Sequence, residues 1–336
     1  SNGFLSRYMI DSLASVKYAV LDKTETPPRG FEKIGENENY NIYRNNYSMP
    51  LGVVIDQTIS IEDFEKLSIR QKDVALLNCI VSDDIQESNL TQYQNELNVE
   101  SEEITLEEMY LEGITLAGKN DMYEIQCESE DFNRICLQTK DMQWTEDNEY
   151  IVSFEIYSPT ENSIFIQWNE GDVWKQKIIS VTEGMNNVNF TIDYKNTDTL
   201  CMYFQKGTYQ IGNLHYESSS EDAIDEVYQS GISEKSFLQM DTYENNLITG
   251  TIETEKDSFL LFMIPFDKNW KLYVDGKEAQ LQQVDYGFMG SRIAAGNHAI
   301  KLDYVPDSNA IPVYISIVGI ILLAGHILLL KKKSRG

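Results

Sequence analysis

The fold is decided by two stretches in which apolar and polar residues alternate, YIVSFEIYS (residues 150–158) and SIFIQWNE (residues 163–170). In the second stretch, Ile164, Ile166 and Trp168 share one face of an extended chain. Phe165 and Gln167 share the opposite face. Because successive side chains of a strand point to opposite sides of a sheet, both stretches predict strands with one buried face.

Similar short runs recur between residues 104 and 217 at a spacing of about ten residues, with turn-forming residues between them. The runs are MYEIQCES, RICLQTK, YIVSFEIYS, SIFIQWNE, NNVNFTID, LCMYFQKG and YQIGNLHYE. They are rich in Thr, Tyr, Phe and Ile, which strands favour. This pattern predicts a β-sandwich of jelly-roll type that resembles carbohydrate-binding domains.

The rest of the sequence predicts a mainly β chain with an α+β part at its N-terminus and one transmembrane helix at its C-terminus. The predicted units are an α+β unit (1–82), an acidic linker (83–103), the β-sandwich (104–217), a connecting helix (218–231), a membrane-proximal antiparallel β module (232–308), a transmembrane helix (311–330) and a basic tail (331–336). Ser60 is predicted to cap a short helix. The pair Asp275-Gly276 predicts a two-residue hairpin turn within the β module.

The charge of the chain excludes one class of partner. Its 336 residues include 27 Lys and Arg against 54 Asp and Glu, which gives a net charge of −27. A protein that binds nucleic acid needs a basic face for the phosphates, so we predict no nucleic-acid partner.

The sequence predicts one membrane helix, which separates the acidic body of the chain from a basic tail. Residues 311–330 (IPVYISIVGIILLAGHILLL) carry no formal charge and are as long as a helix that crosses the hydrocarbon core. Four cations, Lys331, Lys332, Lys333 and Arg335, follow directly. A buried helix of a soluble protein is the alternative, but such a helix rarely ends in a cluster of cations. The positive-inside rule then places the tail in the cytoplasm and the acidic body outside the cell membrane.

The first residues, SNGFLSRYMIDSLASVKYAVLD, lack the apolar core of a signal peptide because Asp11 and Lys17 interrupt it. We therefore expect the sequence to be the C-terminal piece of a larger membrane protein whose earlier spans export the body. A tail-anchored protein with a cytoplasmic body is the alternative, and it would require the basic tail to cross the membrane.

Four cysteines, Cys79, Cys127, Cys136 and Cys201, match no zinc-binding spacing. In an oxidising compartment Cys127 and Cys136 could form a disulfide across a hairpin, and four separate thiols are the alternative. No nucleophile–histidine pair or phosphate-binding glycine motif stands out. We therefore predict no catalytic residue, no metal site and no cofactor within this chain.

Runs near both ends of the chain resemble the YfhO family of bacterial membrane proteins. The runs are LASVKYAVLD (13–22), YNIYRNNYSMPLGVVID (40–56), SIRQKDVALLNCIV (68–81), IPFDKNWKLYVDGKEAQ (264–280) and VDYGFMGSRIAAGNHAIKLDYVPD (284–307). The resemblance implies a polytopic glycosyltransferase of the GT-C kind. Such a protein transfers a sugar from a polyprenyl-phosphate donor to a cell-wall polymer such as lipoteichoic acid. The catalytic acids of GT-C enzymes lie between early membrane helices, so the resemblance leaves this chain to position the acceptor or to brace the membrane part.

One sugar-binding site is predicted in the sandwich, because sugars stack their C–H faces on aromatic rings while polar neighbours bind the hydroxyls. Trp168, Asn169, Asp172 and Trp174 lie around one polar turn and are its candidate residues. The alternative is that the tryptophan rings fill the sandwich core. If the transferase hypothesis fails, the second hypothesis is a membrane-anchored ectodomain that binds a glycan or serves adhesion or structure.

Overall fold

The structure, a computed structural model, describes residues 8–306 except for residues 24, 26, 28, 86–89, 107–108, 120–121, 143, 171–172, 194–196 and 234. Antiparallel sheets make up most of this part of the chain, so it is mainly β as predicted. The predicted transmembrane helix (311–330) and the basic tail lie outside the described residues. Among the described helices, none has the length and apolarity needed to cross a bilayer.

The N-terminal part combines short helices with two small sheets. Its elements are α1 (Tyr8–Leu13), β1 (Tyr18–Asp22), β2 (Phe31–Glu36), β3 (Tyr40–Asn45), β4 (Gly52–Ile55), β5 (Gln57–Ile59), α2 (Ile61–Glu65), α3 (Ile69–Asn78), β6 (Ile80–Val81) and β7 (Thr91–Gln92). The Ser60 side chain accepts a hydrogen bond from the Asp63 amide, which confirms it as the cap of α2. Ser68 and Gln71 form a full capping box at the start of α3.

The middle of the chain forms two sheets. Their strands are β8 (Glu100–Glu103), β9 (Tyr110–Glu112), β10 (Ile114–Lys119), β11 (Met122–Cys127), β12 (Arg134–Gln138), β13 (Asn148–Ser158), β14 (Asn162–Glu170), β15 (Val173–Val181), β16 (Gly184–Asp193), β17 (Thr199–Tyr203) and β18 (Gly207–Ser220). A 3-10 helix (Thr139–Met142) follows β12. One sheet has six strands, in the order β10–β11–β18–β13–β16 with β8 beside β18. The other has five, in the order β15–β14–β17–β12–β9.

The two sheets pack face to face around one apolar core, as the alternation predicts. Phe154 and Ile156 of the six-stranded sheet lie in the same cluster as Ile164 and Ile166 of the five-stranded sheet. Trp144 joins this core, where its ring stacks on that of Tyr150 at a centroid distance of 4.3 Å. The sandwich is thus held by side chains from alternate positions of nearly every strand.

The last described part of the chain adds one helix and two sheets. Its elements are α4 (Glu221–Ser233), β19 (Gln239–Glu244), β20 (Leu247–Thr254), β21 (Ser258–Pro265), β22 (Trp270–Val274), β23 (Lys277–Ala279), β24 (Gln282–Val284), β25 (Phe288–Ile293) and β26 (Gly296–Tyr304). Asp275 and Gly276 both have positive φ and join β22 to β23, which confirms the predicted hairpin turn.

Segments that are distant in sequence share sheets. Strand β4 pairs with β21, and the sheet order β24–β25–β21–β4 joins the N-terminal part to the predicted β module. The predicted acidic linker contributes β8 to the sandwich, while Leu97 and Ile85 are buried in the apolar core shared with β21. Outside residues 86–89, which the structure does not describe, the linker therefore packs against the rest of the chain.

Helix α3 docks on the outer side of the six-stranded sheet through buried charges. The Glu217 carboxylate accepts hydrogen bonds from the amides of Ile69 (3.0 Å) and Arg70 (3.4 Å) at the start of the helix. The Arg70 guanidinium pairs with Glu149 of β13 and with Asp73 (3.2 Å), and all three side chains are buried. The part of this sheet's outer side that carries Glu149 and Glu217 is therefore occupied by the rest of the protein, whereas Tyr157 on the same side is 41% exposed.

Candidate functional site

The outer side of the five-stranded sheet, which we call the open face, is not covered in this way. Its outward-facing residues are Trp174, Gln176 and Ile178 on β15, Phe165 and Gln167 on β14, Thr199 and Tyr203 on β17, Arg134 and Gln138 on β12, and Tyr110 and Glu112 on β9. Several rings stand in solvent, since Trp174 is 59% exposed, Tyr110 56% and Phe165 37%. Clustered exposed rings on one sheet are typical of a binding surface.

The register brings a continuous row of side chains together across the open face. Phe165 lies opposite both Ile178 and Tyr203, and Arg134 lies opposite both Tyr203 and Glu112. The row therefore runs perpendicular to the strands, from an apolar end at β15 to a charged end at β9.

A cavity of about 560 Å³ opens on this row, a size typical of small-molecule sites. Phe165, Gln167 and Tyr203 of the open face line it on one side. Two loops line the other, residues 130–133 and 204–206, and the Phe132 ring of the first loop is 62% exposed. Three aromatic rings and a side-chain amide thus meet at one opening.

The polar groups around the cavity are partly engaged with one another. The Gln167 amide donates a hydrogen bond to Gln176 (3.3 Å), which leaves acceptor and donor positions of both amides turned to solvent. Lys206 pairs with Glu130 at 2.5 Å on the loop side. Asp131 adds a second carboxylate to the lining.

Arg134 links Tyr203 of this row to Tyr110, which lies in the next row, opposite Cys136. Its guanidinium lies 5.9 Å from the ring centroid of Tyr110 and 6.0 Å from that of Tyr203, and it forms an ion pair with Glu112 at 2.5 Å. Its pKa is raised, first by the hydrogen bond to the Tyr203 hydroxyl and then by Glu112. Arg134 therefore stays charged and holds both rings in place.

A disulfide joins the two strands that carry Arg134 and Tyr203. Cys136 of β12 and Cys201 of β17 face each other across the strand pair and are bonded. Neither alternative for the cysteines holds, because Cys136 pairs with Cys201 and Cys127 ends β11 in the other sheet, where it is a buried free thiol. Burial raises the pKa of Cys127 to about 12, so this thiol stays protonated.

The structure describes three of the four predicted site residues, and it places their side chains in different surroundings. Trp168 is half-buried and packs against the sandwich core, as the alternative reading expected. The Asn169 side chain accepts hydrogen bonds from the amides of Asp198 and Thr199, so it fixes the chain before β17. Trp174 is exposed at the edge of the open face, and Asp172 lies outside the described residues.

The residues around the cavity could have been found in part from the sequence. Phe165 alternates with the core residues Ile164 and Ile166, so an aromatic ring on the polar face of a strand was a visible signal. The roles of Tyr203 and Phe132 had no local signal, because strand order decides which distant residues lie beside Phe165.

The ionisable side chains outside this site are the other candidates for metal ligands or catalytic groups. In the described part of the chain, no three His, Cys, Asp or Glu side chains come together as a possible metal site. Both nitrogens of His298 face acceptors, the Asp275 carboxylate at 2.8 Å and the Ala294 carbonyl at 3.0 Å, as expected for a turn-stabilising contact.

The chain is similar in part to solved structures of carbohydrate-binding modules. A family 29 carbohydrate-binding module is 15% identical and matches 33% of this chain and 77% of its own length, with a TM-score of 0.27. The C-terminal CBM6 of LamC from Zobellia galactanivorans is 12% identical and matches 37% of this chain and all of its own length, also with a TM-score of 0.27.

Comparison at the sequence level covers nearly the whole chain. The "Uncharacterized protein YfhO" of Bacillus subtilis (strain 168) is 25% identical over 323 residues, which are 94% of this chain. The chain spans 36% of the length of this curated relative. The family described as bacterial membrane protein YfhO matches residues 2–316. The chain therefore belongs to the YfhO family of bacterial membrane proteins.

Proposed function

We propose that the open face binds a glycan, and that this chain presents the acceptor to a membrane glycosyltransferase of the YfhO type. In this proposal the whole protein transfers a sugar from a polyprenyl-phosphate donor to a cell-wall polymer such as lipoteichoic acid. The present chain carries no catalytic residue of that reaction and positions the polymer.

The observation that carries the proposal is the cavity in which Phe132, Phe165 and Tyr203 meet the Gln167 amide. Pyranose rings expose C–H groups on their faces, and these groups pack on aromatic rings without loss of hydrogen bonds. The amide and the nearby carboxylates then accept or donate hydrogen bonds to the sugar hydroxyls. Stacking supplies affinity and the polar groups supply orientation.

The disulfide supports a location outside the cytoplasm. Disulfides persist in oxidising compartments, and Cys136–Cys201 lies directly in the open face. In the proposed topology the sandwich lies outside the membrane, residues 311–330 span it, and the basic tail is cytoplasmic.

The test is a transfer assay with the full-length protein in membranes, a polyprenyl-phosphate sugar as donor and lipoteichoic acid as acceptor. We expect Phe165→Ala with Tyr203→Ala to raise the KM for the acceptor about tenfold and to leave the KM for the donor unchanged. Tyr157→Ala is the matched control, because Tyr157 is 41% exposed on the other sheet. An unchanged acceptor KM in the double variant would contradict acceptor binding by the open face. Absence of transfer by the wild-type protein, with glycan binding retained, would favour an anchored glycan-binding ectodomain instead.

A further inference from the structure

The open face also indicates which kind of glycan it takes, an inference that rests on the proposed glycan binding. We infer that its ligand is an extended, uncharged oligosaccharide that lies across the strands, and that the phosphate backbone of a polymer does not bind there.

The length of the ligand follows from the spacing of the rings. Phe165 lies on β14, Tyr203 on the next strand and Tyr110 two strands further on. Neighbouring strands are about 4.8 Å apart, so these rings span roughly 14 Å across the strands. Tyr110 lies one row further along the strands, opposite Cys136. A pyranose unit in a chain is about as long as one strand spacing. Several consecutive sugar units would therefore meet a ring or a planar group each.

The surface between the rings is continuous, which an extended ligand requires. The planar guanidinium of Arg134 lies over both tyrosine rings and fills the space between them. The Cys136–Cys201 disulfide lies two residues further along the same strands, in the row that ends at Tyr110, and is buried. The charged group that lies between Tyr203 and Tyr110 is the Arg134 guanidinium, and it is already paired with Glu112.

The charge of the open face disfavours phosphate. A phosphate site needs cations whose donors are available to it. Arg134 pairs with Glu112, and Lys206 pairs with Glu130. Asp131 adds a further carboxylate beside the cavity. The three carboxylates repel a polyanion and accept hydrogen bonds from neutral hydroxyls.

The first experiment measures binding to the whole chain by titration calorimetry. The probes are neutral cello-, laminari- and chito-oligosaccharides from the monosaccharide to the hexasaccharide, and unsubstituted poly(glycerol phosphate). We expect affinity for at least one neutral series to rise with chain length and to exceed that for the phosphate polymer at least tenfold. Binding of the phosphate polymer alone would overturn the inference and leave only the positioning of a polymer acceptor standing. Binding of no probe would overturn the proposed function as well.

The second experiment separates length from simple stacking. Tyr110→Ala should weaken binding of the hexasaccharide about tenfold and leave that of the disaccharide, which reaches only the cavity, unchanged. Phe165→Ala should weaken both, and Tyr157→Ala should weaken neither. An equal loss for both lengths in Tyr110→Ala, or no loss for either, would contradict a ligand that extends across the strands.

The third experiment addresses charge at the cavity. Glu130→Gln with Asp131→Asn removes the two carboxylates and leaves Lys206 without its partner. We expect binding of poly(glycerol phosphate) to increase at least threefold and binding of the neutral hexasaccharide to fall. If the double variant binds the phosphate polymer no better than the wild type, charge does not exclude phosphate from this face.

Discussion

The two outer faces of the sandwich differ in what they contact. On the six-stranded sheet, the covered face consists of Glu149, Ile151, Ser153, Glu217 and Ser219, and all five are buried. On the five-stranded sheet, the open face carries aromatic rings in solvent. The docked part of the six-stranded sheet is thus marked by buried polar and charged residues, whereas the open face carries a cluster of exposed aromatic rings. The reason is that the buried charges are paired across the docking surface, and the exposed rings are available to a ligand.

The largest effect is expected where a buried charge on the covered face loses its partner. Arg70→Ala leaves Glu149 and Asp73 buried without their cation, so we expect the free energy of unfolding to fall by roughly 3–5 kcal/mol. Urea denaturation followed by circular dichroism measures it. Lys66→Ala is the control, because its pairs with Glu62 and Asp63 are exposed to solvent and should contribute much less. Equal effects of the two variants would show that the covered face is not held by its charges.

The open face has its own covalent constraint, and its removal should have the next largest effect. The disulfide closes a loop with a sequence separation of 65 residues. We expect Cys136→Ala with Cys201→Ala to lower the free energy of unfolding by about 2–4 kcal/mol. A reducing agent should destabilise the wild type by a similar amount and leave this variant unchanged. A variant as stable as the oxidised wild type would contradict this constraint.

The part of the protein that covers the six-stranded sheet also contains a pH-sensitive contact. Asp285 is buried between β24 and β25, and its Oδ1 accepts a hydrogen bond from the Val81 amide at 2.7 Å. Burial raises the pKa of Asp285 from 3.8 to about 7. A raised carboxyl pKa means that the folded state favours the protonated form, so the stabilising contribution is present below pH 4 and is lost as the pH rises through about 7.

The substitution Asp285→Asn keeps the acceptor for Val81 and removes the titration. Asn also tolerates the φ of 50° at this position. We expect the variant to equal the wild type near pH 4 and to exceed its free energy of unfolding by roughly 2–3 kcal/mol near pH 8. Asp275→Asn is the contrasting control. The His298 hydrogen bond lowers the pKa of Asp275, so its contribution is lost as the pH falls. Parallel pH profiles for wild type and Asp285→Asn would contradict the assignment.

A smaller effect is expected at the start of α3. Glu217→Gln keeps an acceptor for the Ile69 and Arg70 amides but removes the negative charge that favours a helix N-terminus. We expect the free energy of unfolding to fall by about 1–2 kcal/mol in thermal denaturation. Glu155→Gln, on the same sheet and half-buried, is the comparison variant and should change it by less than about 0.5 kcal/mol.

Local patterns predicted the strands, the helix cap at Ser60 and the hairpin at Asp275-Gly276, because these features depend on neighbours in sequence. Local patterns could not predict which distant strands pair with each other. The bond between Cys136 and Cys201 depends on β12 lying beside β17, and the cavity depends on Tyr203 lying beside Phe165. Trp168 was chosen for its chemistry, but the alternation already placed it on the same side as Ile164 and Ile166, towards the core.

The central claim is that the open face, and not the covered face, contacts the glycan. Hydrogen–deuterium exchange of the whole chain, with and without a neutral hexasaccharide that binds, tests it most directly. We predict slower exchange in β14, β17 and the loops at 128–133 and 204–206, and unchanged exchange in β13 and β16. Protection confined to β13 and β16, or unchanged exchange throughout at saturating ligand, would contradict the claim.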